Sequence, residues 1–249
     1  MKVIIAIPCY NEEKILENNI KIVLEAVRNL PQDIKIVISD NNSKDKTAEI
    51  GQRLAGENDK IEYIFIGEPG KGAAVMEAWK KYDADIYGFM DADLATDLSA
   101  LPLAIEYLSP SSSPPYQGGE VANDFEIVIG SRRIKGARAE RELYRKFTSA
   151  ILNLIVRIIL KTKIRDTACG FKFFKKEVLD KILSRVKDRK FVFDTELLIL
   201  AERSGFKIKE IPVNWKEKGE RGSSVNVYPT SKEYLTKIWA MRHDKNLKN

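Results

Sequence analysis

The chain has 249 residues and a formal net charge of +6, with 42 Lys and Arg against 36 Asp and Glu. This length can bury a substantial core, and the composition shows neither repeats nor disorder bias, so one α/β domain over residues 1–249 is expected. The charge excess is too small to indicate a nucleic-acid-binding protein. Two cysteines, Cys9 and Cys169, lack the spacing of a zinc site or a disulfide framework, which fits a reducing cytoplasm.

Apolar runs alternate with amphipathic helical patterns through the first hundred residues. This alternation predicts βαβ units and a mainly parallel central sheet flanked by helices. In the first predicted helix Ile20, Val23 and Val27 share one stripe, as packing against a sheet requires. The predicted strands are 2–7, 34–39, 61–66 and 86–90, and the predicted helices are 13–30, 47–55 and 73–81.

The second part of the chain begins with a change of composition. Residues 109–123 are rich in Ser, Pro and Gly, which predicts a low-complexity surface insertion. The elements that follow are expected to extend the same sheet and close over its edge. They are a strand at 125–129, a long helix at 141–161, an extended segment at 171–174, helices around Val178 and Leu197, and a strand at 208–213.

No membrane-spanning anchor or signal peptide is expected. The longest apolar stretch, 151–160, contains Asn153 and Arg157 and is too short to cross a bilayer. The predicted helix around it nevertheless carries an apolar stripe, flanked by cations, that fits either a membrane surface or a protein core. The stripe consists of Phe147, Ile151, Leu154, Ile155 and Ile158.

Asp91-Ala92-Asp93 directly follows the predicted buried strand 86–90. Parallel α/β sheets bind ligands at the carboxyl ends of their strands. Mg²⁺ or Mn²⁺ is typically held there by one or two carboxylates together with water and substrate phosphates. The pair therefore predicts a metal site for a nucleoside diphosphate, although two aspartates this close are also common in turns and helix caps.

Three other polar segments follow predicted strands and should converge on the same crevice. They are Pro8-Cys9-Tyr10-Asn11-Glu12, the segment 40–47 and Gly70-Lys71-Gly72. Tyr10 could lie along a base, and Glu12 and Asp40 could accept hydrogen bonds from a base or a ribose. Lys71, between glycines, could approach a phosphate closely. Each segment alone also fits an ordinary turn or loop.

Taken together and in order, these segments resemble the family 2 glycosyltransferases of GT-A fold, specifically the dolichyl- or polyprenyl-phosphate sugar synthases. The further matching segments are Gly130-Ser131-Arg132, Arg165-Asp166-Thr167-Ala168-Cys169-Gly170-Phe171-Lys172 and Phe193-Asp194-Thr195-Glu196. The long segment that ends at Lys172, and Pro212-Val213-x-Trp215, look most like the dolichyl-phosphate glucosyltransferase branch.

The resemblance implies a GT-A fold with a Rossmann-like nucleotide-binding half, residues 1–100, and an acceptor-binding half, residues 124–249. It implies a nucleotide pocket built from Pro8, Tyr10, Glu12, Asp40, Asn41, Lys71, Gly72, Asp91 and Ala92. It further implies a metal at Asp91 and Asp93, and an acceptor-phosphate site at Arg132, Arg145 and Ser149.

Two further carboxylates and two departures bear on the expected chemistry. Asp194 or Glu196 is expected to orient sugar hydroxyls or to act as a base, with Glu196 alternatively capping its own helix. Asn41 stands where many relatives carry a second Asp, which leaves the base contacts open. Ala95 stands where mannosyl-transferring relatives often carry Gln, which argues against that branch.

The expected function is metal-dependent, inverting transfer of a hexose, glucose from UDP-glucose, onto a dolichyl or polyprenyl phosphate at the cytoplasmic membrane face. Mg²⁺ or Mn²⁺ is the expected cofactor. The alternatives are a sugar or polysaccharide hydroxyl acceptor, GDP-mannose as donor, and a nucleotide-sugar-binding module without turnover. Asp91 and Asp93, together with Arg132 and Arg145, count against the last of these.

Overall fold

A seven-stranded mixed sheet with the order β3-β2-β1-β4-β7-β5-β8 organises the computed structural model. The structure describes residues 1–110, 125–140, 143–216, 227–244 and 247, excepting the side chains of 143–147 and 227–232. The strands are β1 Lys2–Cys9, β2 Asp33–Asp40, β3 Ile61–Phe65, β4 Ile86–Met90, β5 Ile127–Ser131, β6 Arg138–Glu140, β7 Phe171–Lys175, β8 Ile208–Pro212 and β9 Asn214–Lys216. The helices are α1 Leu16–Val27, α2 Thr47–Glu57, α3 Lys71–Lys81, α4 Leu101–Leu108, α5 Leu143–Leu160, α6 Lys176–Ile182, α7 Phe193–Arg203 and α8 Val227–His243.

The direction of β7 sets the sheet apart from a purely parallel one. β1, β2, β3 and β4 pair in parallel, as do β5 and β8, whereas β7 is antiparallel to both β4 and β5. Met90 pairs with Phe171, so the carboxyl end of β4 meets the start of β7. β6 and β9 form a separate two-stranded parallel ribbon.

Apolar side chains cover both faces of the sheet. Residues 3–7 of β1 are buried without a break, as expected of a central strand covered on both sides. On one face Trp79 packs against the rings of Phe89 and Phe174, with centroid distances of 6.1 and 5.5 Å. Its indole Nε1 donates to the Gly88 carbonyl at 3.0 Å, so this large side chain leaves no polar atom unsatisfied.

The predicted alternation of strands and helices is confirmed, with three differences. The first helix begins at Leu16 rather than near residue 13, because the Glu12 carbonyl accepts the Ile15 and Leu16 amides in a preceding turn. The antiparallel direction of β7 was not predicted. Helix α8 was not predicted either, since its sequence contains Pro229 and several polar residues. Residues 111–124 of the expected insertion lie outside the described part of the chain.

Helix α5 presents two different apolar faces. Val156 and Leu160 are buried, whereas Ile151, Leu154 and Ile158 are exposed, and we call these three side chains the α5 apolar face. The predicted stripe therefore faces outward at these three positions. Of the helices among the described residues, none combines the length and apolar character needed to cross a bilayer.

Two glycines allow a direct test of the packing around β4. A Cβ added at Gly88 would lie 2.3 Å from the Phe173 ring, whereas one added at Gly56 in α2 meets nothing within 4 Å. We expect Gly88→Ala to destabilise the protein by about 1–3 kcal/mol through overpacking. Gly56→Ala should instead stabilise it by about 0.5–1 kcal/mol, since alanine loses less backbone entropy in a helix. Urea unfolding measures both changes, and equal effects would contradict the described packing of Phe173.

Candidate functional site

Asp91 and Asp93 stand at the carboxyl end of β4, on either side of buried Ala92. The Ala95 amide donates to Asp93 Oδ1 at 2.9 Å, and the Ala92 carbonyl accepts from the side chain of Asn19 at 2.7 Å. Leu94 has a φ of +48°, a conformation that strains a non-glycine residue. The structure thus turns the chain sharply behind two partly exposed carboxylates.

Lys71 joins this pair from the start of α3. Its ammonium lies 2.5 Å from Asp91 Oδ1 and 5.0 Å from the centre of the Phe89 ring. Burial alone would lower the pKa of Lys71, but the nearby carboxylates of Asp91 and Asp194 raise it above its usual value. Lys71 is therefore a cation held beside Asp91.

A second ion pair lies deeper, between β7 and α7. Lys172 is completely buried, and its ammonium donates to Asp194 Oδ2 at 2.7 Å and to the Thr167 carbonyl at 2.5 Å. The ammonium also lies 5.7 Å from the centre of the Phe89 ring. Burial outweighs the attraction of Asp194, so the pKa of Lys172 is lowered. The structure thus ties predicted site residue Asp194 to a lysine that the sequence analysis left out of the site.

Glu196 contacts the loop before α7. Its Oε2 accepts hydrogen bonds from the Lys187 amide at 3.0 Å and the Asp188 amide at 2.7 Å. The carboxylate is almost fully buried, and burial raises its pKa. Glu196 thus stabilises the loop before α7 through these two hydrogen bonds. This role resembles the alternative given above, in which Glu196 caps its own helix. Of the two carboxylates considered on α7, Asp194 is the one that acts electrostatically on Lys71.

The polar residues that end β2 support the site from behind. Asp40 is completely buried, and its two carboxylate oxygens accept from the Ser43 amide at 2.9 Å and the Tyr63 hydroxyl at 2.8 Å. Burial and this carboxylate raise the pKa of Tyr63 well above its usual value, which keeps the donor protonated. These contacts fix the loop after β2, and the expected hydrogen bond from Asp40 to a base or ribose stays a prediction.

Asn41 has a similar supporting role. Its amide group donates to the Glu68 carbonyl at 2.7 Å and accepts from the Gly70 amide at 2.6 Å. It therefore fastens the loop that carries Lys71. Pro8, Tyr10 and Glu12 lie at the carboxyl end of β1, on the same edge of the sheet. Tyr10 is 52% exposed there and available to a planar ligand.

Gly72 allows close packing between the start of α3 and Phe193. A Cβ at this position would lie 2.7 Å from the Cβ of Phe193. The Gly72 amide donates to the Lys190 carbonyl at 3.0 Å, and the Ala73 amide donates to the Arg189 carbonyl at 2.8 Å. The loop before α7 thus accepts from both amides, and the place of Gly72 in the nucleotide pocket stays a prediction.

Two of the three expected acceptor-phosphate residues, Arg132 and Ser149, contact protein partners. Arg132 makes a bidentate pair with the buried carboxylate of Asp166, with distances of 2.7 and 2.8 Å. Burial would raise the pKa of Asp166, but Arg132 holds it below its usual value. Ser149 accepts from Arg133 at 2.7 Å. Arg132 and Ser149 thus link the end of β5 to neighbouring segments, and the side chain of Arg145 lies outside the described residues.

Two of the residues that the sequence analysis missed carried a readable signal. Lys172 interrupts the apolar run Phe171–Phe174, and a charge in a strand buried on both faces must have a partner. Asp166, which is also a buried charge, lies six residues before Lys172 in the same matched segment. Their partners, Asp194 and Arg132, are 22 and 34 residues away, and spacing alone could not identify them.

The donor set at Asp91 and Asp93 fits a hard divalent cation. Both groups offer carboxylate oxygens at one strand end, which is the usual protein contribution to a Mg²⁺ or Mn²⁺ site completed by phosphates. Among the described residues, no group of three or more His, Cys, Asp or Glu side chains is arranged to hold a metal ion. A metal here would thus be shared between two carboxylates and a ligand.

The fold is that of an α/β protein, and its candidate site has two carboxylates at the carboxyl end of a parallel strand. The profile of the family described as Glycosyl transferase family 2 matches residues 4–183. The chain belongs to this family, as its motifs predicted.

Several curated relatives share about a third of its residues. Glycosyltransferase AglD of Haloferax volcanii is 31% identical over 223 residues, which cover 88% of this chain and 34% of the relative. Dolichyl-phosphate beta-glucosyltransferase ALG5A of Trichomonas vaginalis is 32% identical, covering 86% and 65%. The dolichol-phosphate mannosyltransferase of Pyrococcus furiosus is 30% identical, covering 97% and 64%. The chain thus spans 34% to 65% of the length of these relatives.

Solved structures share the fold. Glucosyl-3-phosphoglycerate synthase from Mycobacterium tuberculosis, in complex with UDP, superposes with a TM-score of 0.67 at 17% identity, covering 98% of this chain and 82% of that one. Mannosyltransferase PcManGT from Pyrobaculum calidifontis, in complex with GDP-Man and Mn²⁺, gives 0.63 at 20% identity, covering 96% and 63%. The predicted GT-A-like α/β fold is confirmed.

The buried pair predicts a large difference between two lysine substitutions. Lys172→Met should destabilise the protein by about 3–5 kcal/mol, because it leaves Asp194 buried without its counter-charge. Lys35→Met, which breaks the exposed pair with Glu62, should cost about 0–1 kcal/mol. Urea unfolding of both variants tests this difference, and a Lys172→Met protein as stable as Lys35→Met would contradict a fully buried Lys172–Asp194 pair.

Proposed function

We propose that this chain transfers glucose from UDP-glucose to a polyprenyl or dolichyl phosphate. The observation that carries the proposal is the cluster of Asp91, Asp93, Lys71 and Asp194 at the carboxyl end of β4 in a family 2 chain. Relatives named dolichyl-phosphate beta-glucosyltransferase, from Trichomonas vaginalis, Homo sapiens and Saccharomyces cerevisiae, support this sugar and acceptor.

The donor diphosphate would bind at Asp91 and Asp93 through Mg²⁺ or Mn²⁺. When bound, such an ion supplies positive charge that stabilises the departing nucleoside diphosphate. Complexes of structural neighbours with Mn²⁺ and UDP-glucose or GDP-Man support this assignment. Lys71 adds a protein cation beside Asp91 that can contact the same phosphates, and Tyr10 offers its exposed ring to the base.

The acceptor phosphate needs positioning more than activation. A lipid monophosphate is largely dianionic near neutral pH, because its second pKa is about 6. It can therefore attack the anomeric carbon without a strong general base, from the face opposite the leaving diphosphate, which inverts that centre. Asp194, fixed by Lys172, would hold sugar hydroxyls in the orientation that this attack requires.

The cations that meet the acceptor would come from the basic segment after β5. Arg132 pairs with Asp166 and would act together with Arg145, Ser149 and the exposed side chains of Lys135 and Arg138. Arginine suits this role because its planar guanidinium can bind two phosphate oxygens at once.

The α5 apolar face would bring the site to its lipid acceptor. Ile158 is 64% exposed and Leu154 is 53% exposed, and nearby α8 adds the half-exposed ring of Trp239. Isolated exposed apolar residues are ordinary, but three at helical spacing with Arg157 beside them are typical of a helix that lies on a lipid surface. We propose that this face contacts the cytoplasmic side of a membrane.

A mannosyl donor is the second candidate. The Pyrococcus furiosus relative named dolichol-phosphate mannosyltransferase, at 30% identity, favours GDP-mannose. Ala95 favours glucose, on the resemblance described above. Its amide donates to Asp93 Oδ1 and its carbonyl accepts from the Lys216 amide at 2.8 Å, so its backbone belongs to the turn behind the carboxylates.

Transfer to polyprenyl phosphate tests the proposed reaction directly. With radiolabelled UDP-glucose and GDP-mannose offered separately, we expect a glucosyl-lipid product from the first, lost in EDTA. Asp93→Asn should lower the rate by about 100-fold or more while the protein stays folded, since it removes charge but little volume. Asp97→Asn is the matched control, because Asp97 caps a short turn outside the site.

Three results would contradict parts of this proposal. Mannose transfer alone would change the donor. Activity only on soluble hydroxyl acceptors would change the acceptor. Full activity of Asp93→Asn, or in EDTA, would remove the metal from the reaction.

The membrane contact has its own test. Wild-type protein should co-sediment with vesicles that contain phosphatidylglycerol, and more weakly at high salt, which screens the charges. Ile158→Glu should reduce binding by about tenfold or more, since burying an isoleucine contributes roughly 1.5–3 kcal/mol. Ile22→Glu changes another exposed isoleucine, on α1, and should bind as wild type does. Equal binding by a folded Ile158→Glu protein would place the contact elsewhere.

A further inference from the structure

Gly170, the residue before β7, lies directly against the carboxylate of Asp91. Its carbonyl accepts a hydrogen bond from the Asp91 amide at 3.1 Å. A Cβ added to Gly170 would lie 1.8 Å from Asp91 Oδ2 and 2.2 Å from Asp91 Cγ. Such distances are far inside van der Waals contact. The Asp91 carboxylate therefore occupies the space that any side chain at position 170 would need.

The backbone of Gly170 does not itself require glycine. The glycines with φ in the left-handed region among the described residues are Gly70, Gly136 and Gly205. Gly170 is not one of them, so an alanine could adopt its backbone conformation. The three nearest atoms that its Cβ would meet all belong to the Asp91 side chain. The carboxylate, and not the chain path, is thus the reason for a glycine here.

Lys71 contacts the same carboxylate from another element. Its ammonium pairs with Oδ1, whereas the absent side chain of Gly170 leaves room for Oδ2. These two contacts, together with the hydrogen bond from the Asp91 amide to the Gly170 carbonyl, hold Asp91 in one orientation. Displacing Oδ2 would also disturb the position that Oδ1 takes beside Lys71.

We propose that Gly170 is a positioning residue for the donor site. The space left by its missing side chain lets the Asp91 carboxylate take the orientation that would meet the metal and diphosphate. This inference rests on the proposed function. Through Gly170, the segment 165–172 contacts the carboxylate of Asp91, which lies in the first half of the chain. An alanine at 170 would leave the fold largely intact, since Asp91 is partly exposed and its side chain can rotate away.

Gly170→Ala tests the inference by calorimetry of UDP binding in the presence of Mn²⁺. Loss of an outer contact that orients a metal ligand typically lowers metal affinity about 10- to 100-fold, and we expect a loss of this size. Transfer of glucose should fall in parallel. Gly56→Ala, on an open helix surface, is the matched control and should bind UDP as wild type does.

A double-mutant cycle separates the steric contact from any other effect of the glycine. Melting temperatures are compared for wild type, Gly170→Ala, Asp91→Ala and the double variant. Asp91→Ala removes the three nearest atoms that the new Cβ would meet, so Gly170→Ala should lower the melting temperature less in that background than in wild type. Equal shifts in both backgrounds, or wild-type UDP affinity in Gly170→Ala, would overturn the inference. If wild-type protein binds neither UDP nor GDP, the proposed function fails, while the cycle still decides the contact.

Discussion

The antiparallel pairing of β7 with β4 is the constraint on which the site depends. It places Gly170 beside Asp91 at the end of β4 and sets Lys172 opposite Phe89. Since side chains alternate along a strand, a shift of one residue would turn Lys172 to the other face of the sheet, away from Asp194. The register of this single strand therefore determines that Lys172 meets Asp194 and that Gly170 meets Asp91.

Two buried ion pairs accompany this strand, Lys172 with Asp194 and Arg132 with Asp166. Removing charges from water is costly, and buried pairs contribute little net stability compared with apolar residues of similar size. Their value here is geometric, because each charge limits where its partner can lie. The first pair fixes Asp194 near Lys71, and the second joins the start of the segment 165–172 to the end of β5.

The sequence predicted the fold well where a pattern is local, and the site less well where partners are distant. Continuous apolar runs identified β1 and β4, and Asp91, which directly follows β4 in the sequence, lies at the carboxyl end of that strand. The direction of β7 depends on its neighbours in the sheet, which no local pattern encodes. Asp40 and Gly72 were expected at the nucleotide pocket, and the structure adds protein contacts that no local pattern showed: Asp40 contacts Tyr63, 23 residues away, and Gly72 packs on Phe193. Polar and glycine residues at strand ends serve ligand and scaffold equally well, and only the tertiary contacts distinguish the two.

The order of the strands also bears on whether the chain can be divided. β7 lies between β4 and β5, although it follows both in sequence, so the second half completes the edge of the sheet that the first half begins. A fragment that ended at residue 110 would leave β4 as an unpaired edge, with a row of unsatisfied backbone groups beside a strongly apolar surface. Unprotected edges of this kind recruit other strands and aggregate. The first and second halves of the chain are therefore regions of one folding unit, and neither can be exchanged with a homologue as an independent module.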